Sequence, residues 1–295
     1  QVYIASKLPH YLIKSKESAQ KLFDEEFLDY LRNFKFEGDV WAVPEGTVVF
    51  PNEPLITVRA KAPQAQFIET YVLMQFNHQS CIATKASRMV RAAEGRAISE
   101  FGSRRAQGAD GAILGARAAY IGGVGATACT ITDEYYHVPV TGTMAHSWVQ
   151  MFPDEYTAFK TYANMYPNAC TLLVDTYDTL KSGVPNAIRV FKEMRESGVE
   201  FKKYGIRLDS GDLAYLSKEA RKMLDAAGFE DAVIAASNDL DEYLLHDLKM
   251  QKAEIRSWGV GTNLITSKDC PSFGGVYKLA AIQDENGKYI PKIKL

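Results

Sequence analysis

Between Gln64 and Gly261 the chain alternates short continuous apolar runs with segments whose apolar residues recur every three or four positions. The first pattern is that of strands buried on both faces, and the second that of helices with one buried stripe. A long helix is predicted over Gln66 to Ala92, with Phe67, Tyr71, Met74, Ile82 and Met89 near one face. Strand and helix then alternate: strand Ala97 to Gly102, helix Asp110 to Tyr120, strand Thr127 to Ile131, helix Asp154 to Met165, strand Thr171 to Asp175, helix Pro185 to Ser197. Strand Ile206 to Asp209 follows, with a helix from Leu213 that Gly228 ends, and then strand Ala232 to Ser237, helix Leu240 to Met250 and strand Ile255 to Gly261. This is an α/β pattern, a parallel sheet covered by helices, read as an irregular (β/α) barrel rather than an open sheet. The number of units and the polar residues at nearly every strand end favour the barrel.

The flanks differ. Ser18 to Phe34 has helical spacing (Leu22, Phe23, Phe27, Leu28, Leu31). Asp39 to Ala60 holds short β-branched and aromatic runs broken by Pro-Glu-Gly and Pro-Asn-Glu-Pro, the signature of antiparallel strands with tight turns. We therefore expect residues 1–64 to be part of a smaller β-rich sandwich domain, residues 65–268 to be the barrel, and residues 269–295 to return to the sandwich. With Gln1 at its start and Ile-Lys-Leu at its end, inside a strand-like pattern, the chain reads as incomplete.

Composition changes this picture little. Of the 295 residues 46% are hydrophobic and 24% charged, as in ordinary globular proteins. A net charge of -2 carries no footprint for nucleic acid or an anionic membrane, and no apolar run approaches a membrane span. Cys81, Cys129, Cys170 and Cys270 are far apart and mostly among apolar or small neighbours, which reads as buried reduced thiols in a cytoplasmic protein.

The chemistry gathers at the predicted strand ends. In Ile206-Arg-Leu-Asp-Ser-Gly-Asp212 strand alternation sends Arg207 and Asp209 to one face, just before a Ser-Gly turn into a helix. Parallel α/β proteins place ligands there, although a structural ion pair has the same appearance. Four more ends are polar: Glu100 to Arg105, Asp175 to Asp178, Ser237 to Asp239, and Gly259 to Asn263. Five such ends in series point to a small-molecule site at the rim. Gly259, Gly261 and Thr262 would suit a phosphate, though tight turns use the same residues. Arg104, Arg105 and Arg207 would hold further anions, and Asp175 and Asp209 ribose hydroxyls or a metal. The anticipated ligand is a sugar phosphate with extra negative charge. His146, after the small-residue run Thr-Gly-Thr-Met-Ala, is a candidate nucleophile or general base, or else a helix-start histidine bonded to backbone. His78 reads as a packing residue, and His10, His137 and His246 have no partners at metal-ligand spacing.

Five motifs resemble the nicotinate phosphoribosyltransferase family, in its order and spacing: Glu-Phe-Gly-Ser-Arg-Arg-Ala, Val-Thr-Gly-Thr-Met-Ala-His-Ser-Trp, Val-Asp-Thr-Tyr-Asp-Thr, Ile-Arg-Leu-Asp-Ser-Gly-Asp-Leu and Trp-Gly-Val-Gly-Thr-Asn-Leu. They cover residues 100–264, with weaker similarity from Glu26 onward. The resemblance implies a β-rich sandwich beside an irregular α/β barrel, and a reaction in which nicotinate and phosphoribosyl pyrophosphate give nicotinate mononucleotide and pyrophosphate. It further implies coupled ATP hydrolysis, salvage toward NAD, Mg2+ accompanying the pyrophosphate without a dedicated protein cage, and a homodimer with a shared site. By the same resemblance Phe101 stacks on the pyridine ring, Arg104 meets pyrophosphate or phosphate groups, and Arg207 lies by the nicotinate carboxylate. Asp209, with Asn238, holds the ribose hydroxyls, while Gly259, Gly261 and Thr262 cradle the 5′-phosphate. His146 matches the histidine that ATP phosphorylates. Ala126 stands where related nicotinamide enzymes carry an aspartate. A nicotinamide or quinolinate phosphoribosyltransferase, a phosphate-binding barrel aldolase or isomerase, and a non-catalytic binding subunit remain alternatives at this point.

Overall fold

The computed structural model describes residues 23–198 and 202–294, so His10 and the Ser18 to Leu22 start of the first expected helix lie outside the described residues. Two compact units emerge, one from the described residues up to Asn77 together with Phe273 onward, the other His78–Ser272.

In the smaller unit, α1 (Glu25–Arg32) starts at Asp24, whose carboxylate accepts the Phe27 N–H at 2.8 Å. A small aromatic cluster forms beside it: Phe27 stacks on Phe67, and Phe34 meets Phe67 edge-on. Strands β1 (Asp39–Ala42) and β2 (Ile56–Arg59) pair antiparallel, with Asp39 opposite Arg59. After α2 (Ala62–Ala93) and the larger unit, β9 (Ala281–Gln283) and β10 (Tyr289–Pro291) form a second antiparallel pair. Its turn is held by Asp284, whose carboxylate accepts the N–H groups of Asn286 and Lys288, with Gly287 at φ 79°.

The larger unit is built on six parallel strands: β3 (Ala97–Glu100), β4 (Ala126–Thr127), β5 (Cys170–Leu173), β6 (Tyr204–Leu208), β7 (Val233–Ala236) and β8 (Ser257–Val260). Their order is β4-β3-β8-β7-β6-β5, so the first strand of the series pairs with the last, as in a barrel. Helices α3 (Gly108–Ile121), α4 (Ile131–Tyr136), α5 (His146–Gln150), α6 (Glu155–Met165), α7 (Val184–Glu196), α8 (Leu213–Ala226), α9 (Glu242–Met250) and α10 (Thr262–Ile265) fill the connections. Three of them open on an aspartate cap: Asp154 to Thr157 N–H, Asp212 to Tyr215 N–H and Asp241 to Leu244 N–H. The buried face of α7 (Val184, Ala187, Val190, Phe191, Met194) shows why its periodicity was readable.

The barrel wall is irregular between β4 and β5, which do not pair. The expected strand Thr127 to Ile131 is only Ala126–Thr127, because Thr127 Oγ1 accepts the Cys129 N–H at 2.9 Å and turns the chain toward α4. Beside it runs the segment leading to His146: Thr127 N–H donates to Pro139, and Thr141 N–H donates back to Thr127, each at 2.9 Å. Across the gap Arg207 of β6 donates from Nη2 to the Met144 carbonyl at 3.1 Å and from Nη1 to Thr143 Oγ1.

Strand alternation gives the barrel two unlike surfaces. Outward positions are bulky and buried against helices, among them Leu172, Ile206, Ile234 and Trp258. Several inward positions are small, with Ser99 opposite Gly259 and Ala235 beside both Ser257 and the larger Arg207. Barrels usually fill this space with branched side chains. Here a cavity of ≈ 170 Å³ is left, lined by Ser99, Phe101, Thr143, Thr171, Arg207 and Gly259 among others.

Candidate active site

Three of the sequence-predicted residues share that cavity: Phe101, Arg207 and Gly259. Phe101 follows β3 and is fixed by its own N–H, which donates to the Val260 carbonyl at 2.7 Å. Arg207 spends two donors on Thr143 and Met144, while its Nε is buried and has no hydrogen-bond partner among the described residues. Burial lowers its pKa, against the pull of Asp209 and Asp175 and with that of Arg104. A guanidinium stays charged even so, and a buried cation with a free planar donor calls for an anionic acceptor.

The second group lies at the ends of β5, β6 and β7. Asp175 Oδ2 accepts the Asp209 N–H at 2.8 Å and the Ser210 hydroxyl at 2.7 Å, which locks the Asp-Ser-Gly turn. Its Oδ1 is buried without a partner among the described residues. Asp209 in turn accepts the Ser237 hydroxyl on Oδ1 and faces His146 Nε2 with Oδ2 at 3.5 Å. His146 opens α5, and its Nδ1 lies 3.0 Å from Thr176 Oγ1. His146, Asp175 and Asp209, set apart by 29 and more residues in the sequence, are thus one connected polar cluster.

The glycine motif meets the arginine motif directly. A β-carbon on Gly102 would stand 2.7 Å from the Gly261 carbonyl, so the two turns can pack only because Gly102 has none. Gly261 precedes α10 and accepts the N–H groups of Leu264 and Ile265. Asn263, expected only as part of this motif, is buried and ties it to the next strand end by donating to Asp239 and Leu240. Beneath the arginine turn Glu100 is fully buried, accepting the Gly102 N–H and, at 2.6 Å, the Thr127 hydroxyl. Burial pushes its carboxyl pKa up. Arg104 stands exposed on the short turn Ser103–Arg105.

Asn238, Thr262, Gly261 and Arg104 do not line the cavity. Asn238 is exposed, at φ 107°, a backbone region that asparagine tolerates better than most side chains. Among the described residues no group of three or more His, Cys, Asp and Glu is placed to hold a metal ion. No helix among them is long and apolar enough to cross a membrane. Thr176 and Ser237 were visible in the sequence only as members of motifs. What gives them a place in the cluster is strand register, which no local pattern announces.

Comparison with known proteins bears on the family of the chain. Residues 8–77 match the family profile of the nicotinate phosphoribosyltransferase N-terminal domain. The chain is 52% identical over 273 residues to the nicotinate phosphoribosyltransferase of Bacillus subtilis (strain 168), covering 92% of this chain and 55% of that protein. It is 47% identical to nicotinate phosphoribosyltransferase pncB2 of Mycobacterium tuberculosis (strain H37Rv), covering 88% of this chain and 55% of that one. It thus spans about half the length of these curated relatives. The crystal structure of human nicotinic acid phosphoribosyltransferase superposes with a TM-score of 0.74 at 29% identity, covering 85% of this chain and 60% of that chain. The curled parallel sheet, the order of the five motifs and these similarities lead to one conclusion: the chain belongs to the nicotinate phosphoribosyltransferase family.

Proposed function

We propose that the protein carrying this chain forms nicotinate mononucleotide and pyrophosphate from nicotinate and phosphoribosyl pyrophosphate, with coupled ATP hydrolysis, in NAD salvage. The observation that supports it best is the pairing of Phe101 and Arg207 on one small cavity, with the Arg207 Nε lacking any partner among the described residues. An aromatic face beside a buried guanidinium suits a flat ring bearing a carboxylate.

In the reaction the pyridine nitrogen bonds to the anomeric carbon as the carbon–oxygen bond to pyrophosphate breaks, and pyrophosphate leaves with the electron pair. Charge on the ribose is oxocarbenium-like, so the site acts by positioning and by electrostatics. In this proposal Arg207 and Phe101 orient the ring, and Asp209 and Asn238 hold the ribose hydroxyls, with Asp175 fixing the turn that carries Asp209. Gly259, Gly261 and Thr262 cradle the 5′-phosphate and Arg104 the pyrophosphate, with which Mg2+ travels. His146 takes the γ-phosphoryl group of ATP: a nitrogen–phosphorus bond forms while the bridging phosphorus–oxygen bond breaks and ADP leaves. We further propose residues 65–268 as the barrel domain, residues 1–64 and 269–295 as parts of a sandwich domain, a homodimer sharing the site, and a cytoplasmic location.

The test is incubation of the protein with phosphoribosyl pyrophosphate and either nicotinate or nicotinamide, with and without ATP, assayed for mononucleotide. Nicotinate mononucleotide that rises with ATP, and loses that rise in His146→Ala, is the expected result. Turnover of nicotinamide in preference to nicotinate, or a rise with ATP that persists in His146→Ala, would overturn the substrate or the role of the histidine respectively.

A further inference from the structure

We infer that Thr176 is the positioning residue for His146, fixing which ring nitrogen carries the lone pair and where the ring points; the link to phosphoryl transfer rests on the proposed ATP coupling.

The argument starts from the two nitrogens. Nε2 faces Asp209 Oδ2 at 3.5 Å. A carboxylate at that distance attracts an N–H and repels a lone pair, so the Nε2–H tautomer is the one this environment favours. The lone pair is then on Nδ1, and the group it meets is the Thr176 hydroxyl at 3.0 Å, which must donate. Asp209 is not free to swing away, since its Oδ1 accepts from Ser237 and its own N–H is held by Asp175.

The location of Thr176 makes the arrangement rigid. It follows Asp175 directly at the end of β5, and Asp175 binds both Asp209 N–H and Ser210. Two residues later Asp178 accepts the N–H groups of Leu180 and Lys181, closing the turn on its other side. His146 itself opens a helix of only five residues, and no side chain caps its start. The ring is therefore oriented from outside its own helix, by Thr176 and Asp209 together. Histidine nucleophiles and bases depend on such a second group to set tautomer and direction.

The experiment compares Thr176→Val, which keeps the shape and removes the hydroxyl, with Thr176→Ser, which keeps the hydroxyl. Imidazole 15N shifts of His146 are read in the whole protein, assigned by their loss in His146→Ala. Wild type and Thr176→Ser are expected to show one tautomer, with a protonated Nε2 and a hydrogen-bonded Nδ1. In Thr176→Val the Nδ1 resonance should lose that hydrogen-bond shift. Transfer of labelled phosphoryl from ATP to His146 should slow about tenfold in kcat with the KM for ATP little changed, and recover in Thr176→Ser. Unchanged His146 shifts in Thr176→Val, or an equal loss in both variants, would overturn the assignment. If wild type takes no label at all, the ATP coupling fails, and the nitrogen shifts still decide what Thr176 does.

Discussion

Gly259 lies directly against the ring of Phe101: a β-carbon built on it would stand 2.6 Å from Cδ2 and 2.8 Å from Cε2 of that ring. Gly259 is opposite Ser99 in the parallel register, so its missing side chain would point into the cavity that Arg207 also lines. The glycine is thus what lets the aromatic ring sit at the cavity wall. Gly259→Ala keeps an allowed strand conformation but forces Phe101 to move. A displacement of this size is expected to raise the KM for nicotinate about tenfold to a hundredfold with a near-unchanged melting temperature. Steady-state kinetics with thermal denaturation checks it, and an unchanged KM would separate Phe101 from the ring site.

Ala126 provides a test of substrate choice. It pairs with Ser99 in parallel register, and alternation puts it on the same inward face of the barrel. In the proposed reaction a carboxylate at this position would face the anionic nicotinate and compete for the Arg207 guanidinium. Ala126→Asp is therefore expected to weaken nicotinate use by about tenfold or more, since like charges brought together in an enclosed site cost several kcal/mol. The measurement is kcat/KM for nicotinate beside that for nicotinamide. Nicotinate kinetics identical to wild type would show that position 126 does not face the ring.

What the sequence made legible followed the physics of short-range pattern. The buried stripe of α7 was visible because it is set by residues within a few positions of one another. The strand ends bearing Arg207 and Asp209 were visible for the same reason. The gap between β4 and β5 was not, because the Thr127 bond to Cys129 that stops the strand competes locally with sheet pairing. Nor could alternation alone tell that Arg207 would reach across that gap to Thr143 and Met144, over 60 positions away in the chain. The buried carboxylate Glu100 looked like one more rim residue beside Arg104 and Arg105, but alternation from the inward Ser99 puts it on the opposite face, where the Gly102 N–H and the Thr127 hydroxyl hold it.

That burial makes Glu100 a pH-dependent liability. The carboxyl group is fully buried, with a backbone N–H and the Thr127 hydroxyl as its partners, and burial raises its pKa in the folded state. An acid whose folded pKa lies above its unfolded value holds its proton more tightly when folded. Its contribution is therefore fully present below the unfolded pKa, about 4.3, and is lost as pH rises through the folded-state pKa. The acids held below their usual range, among them Glu94, Asp154, Asp178, Glu193 and Asp269, and His78, whose pKa burial lowers, act in the opposite direction: their contributions grow as pH rises. Glu155, also raised by burial, acts in the same direction as Glu100. Glu100→Gln keeps the shape, with the amide oxygen for Gly102 N–H and the amide nitrogen turned to Thr127. Between pH 4 and pH 8 the Glu100 contribution, read by urea denaturation as wild-type stability minus that of Glu100→Gln, should fall with pH by at most about 1.4 kcal/mol per pH unit for this one proton. The same difference should fall more steeply when Glu155→Gln is added to Glu100→Gln. A variant curve parallel to wild type throughout would mean that Glu100 titrates alike in the folded and unfolded chains.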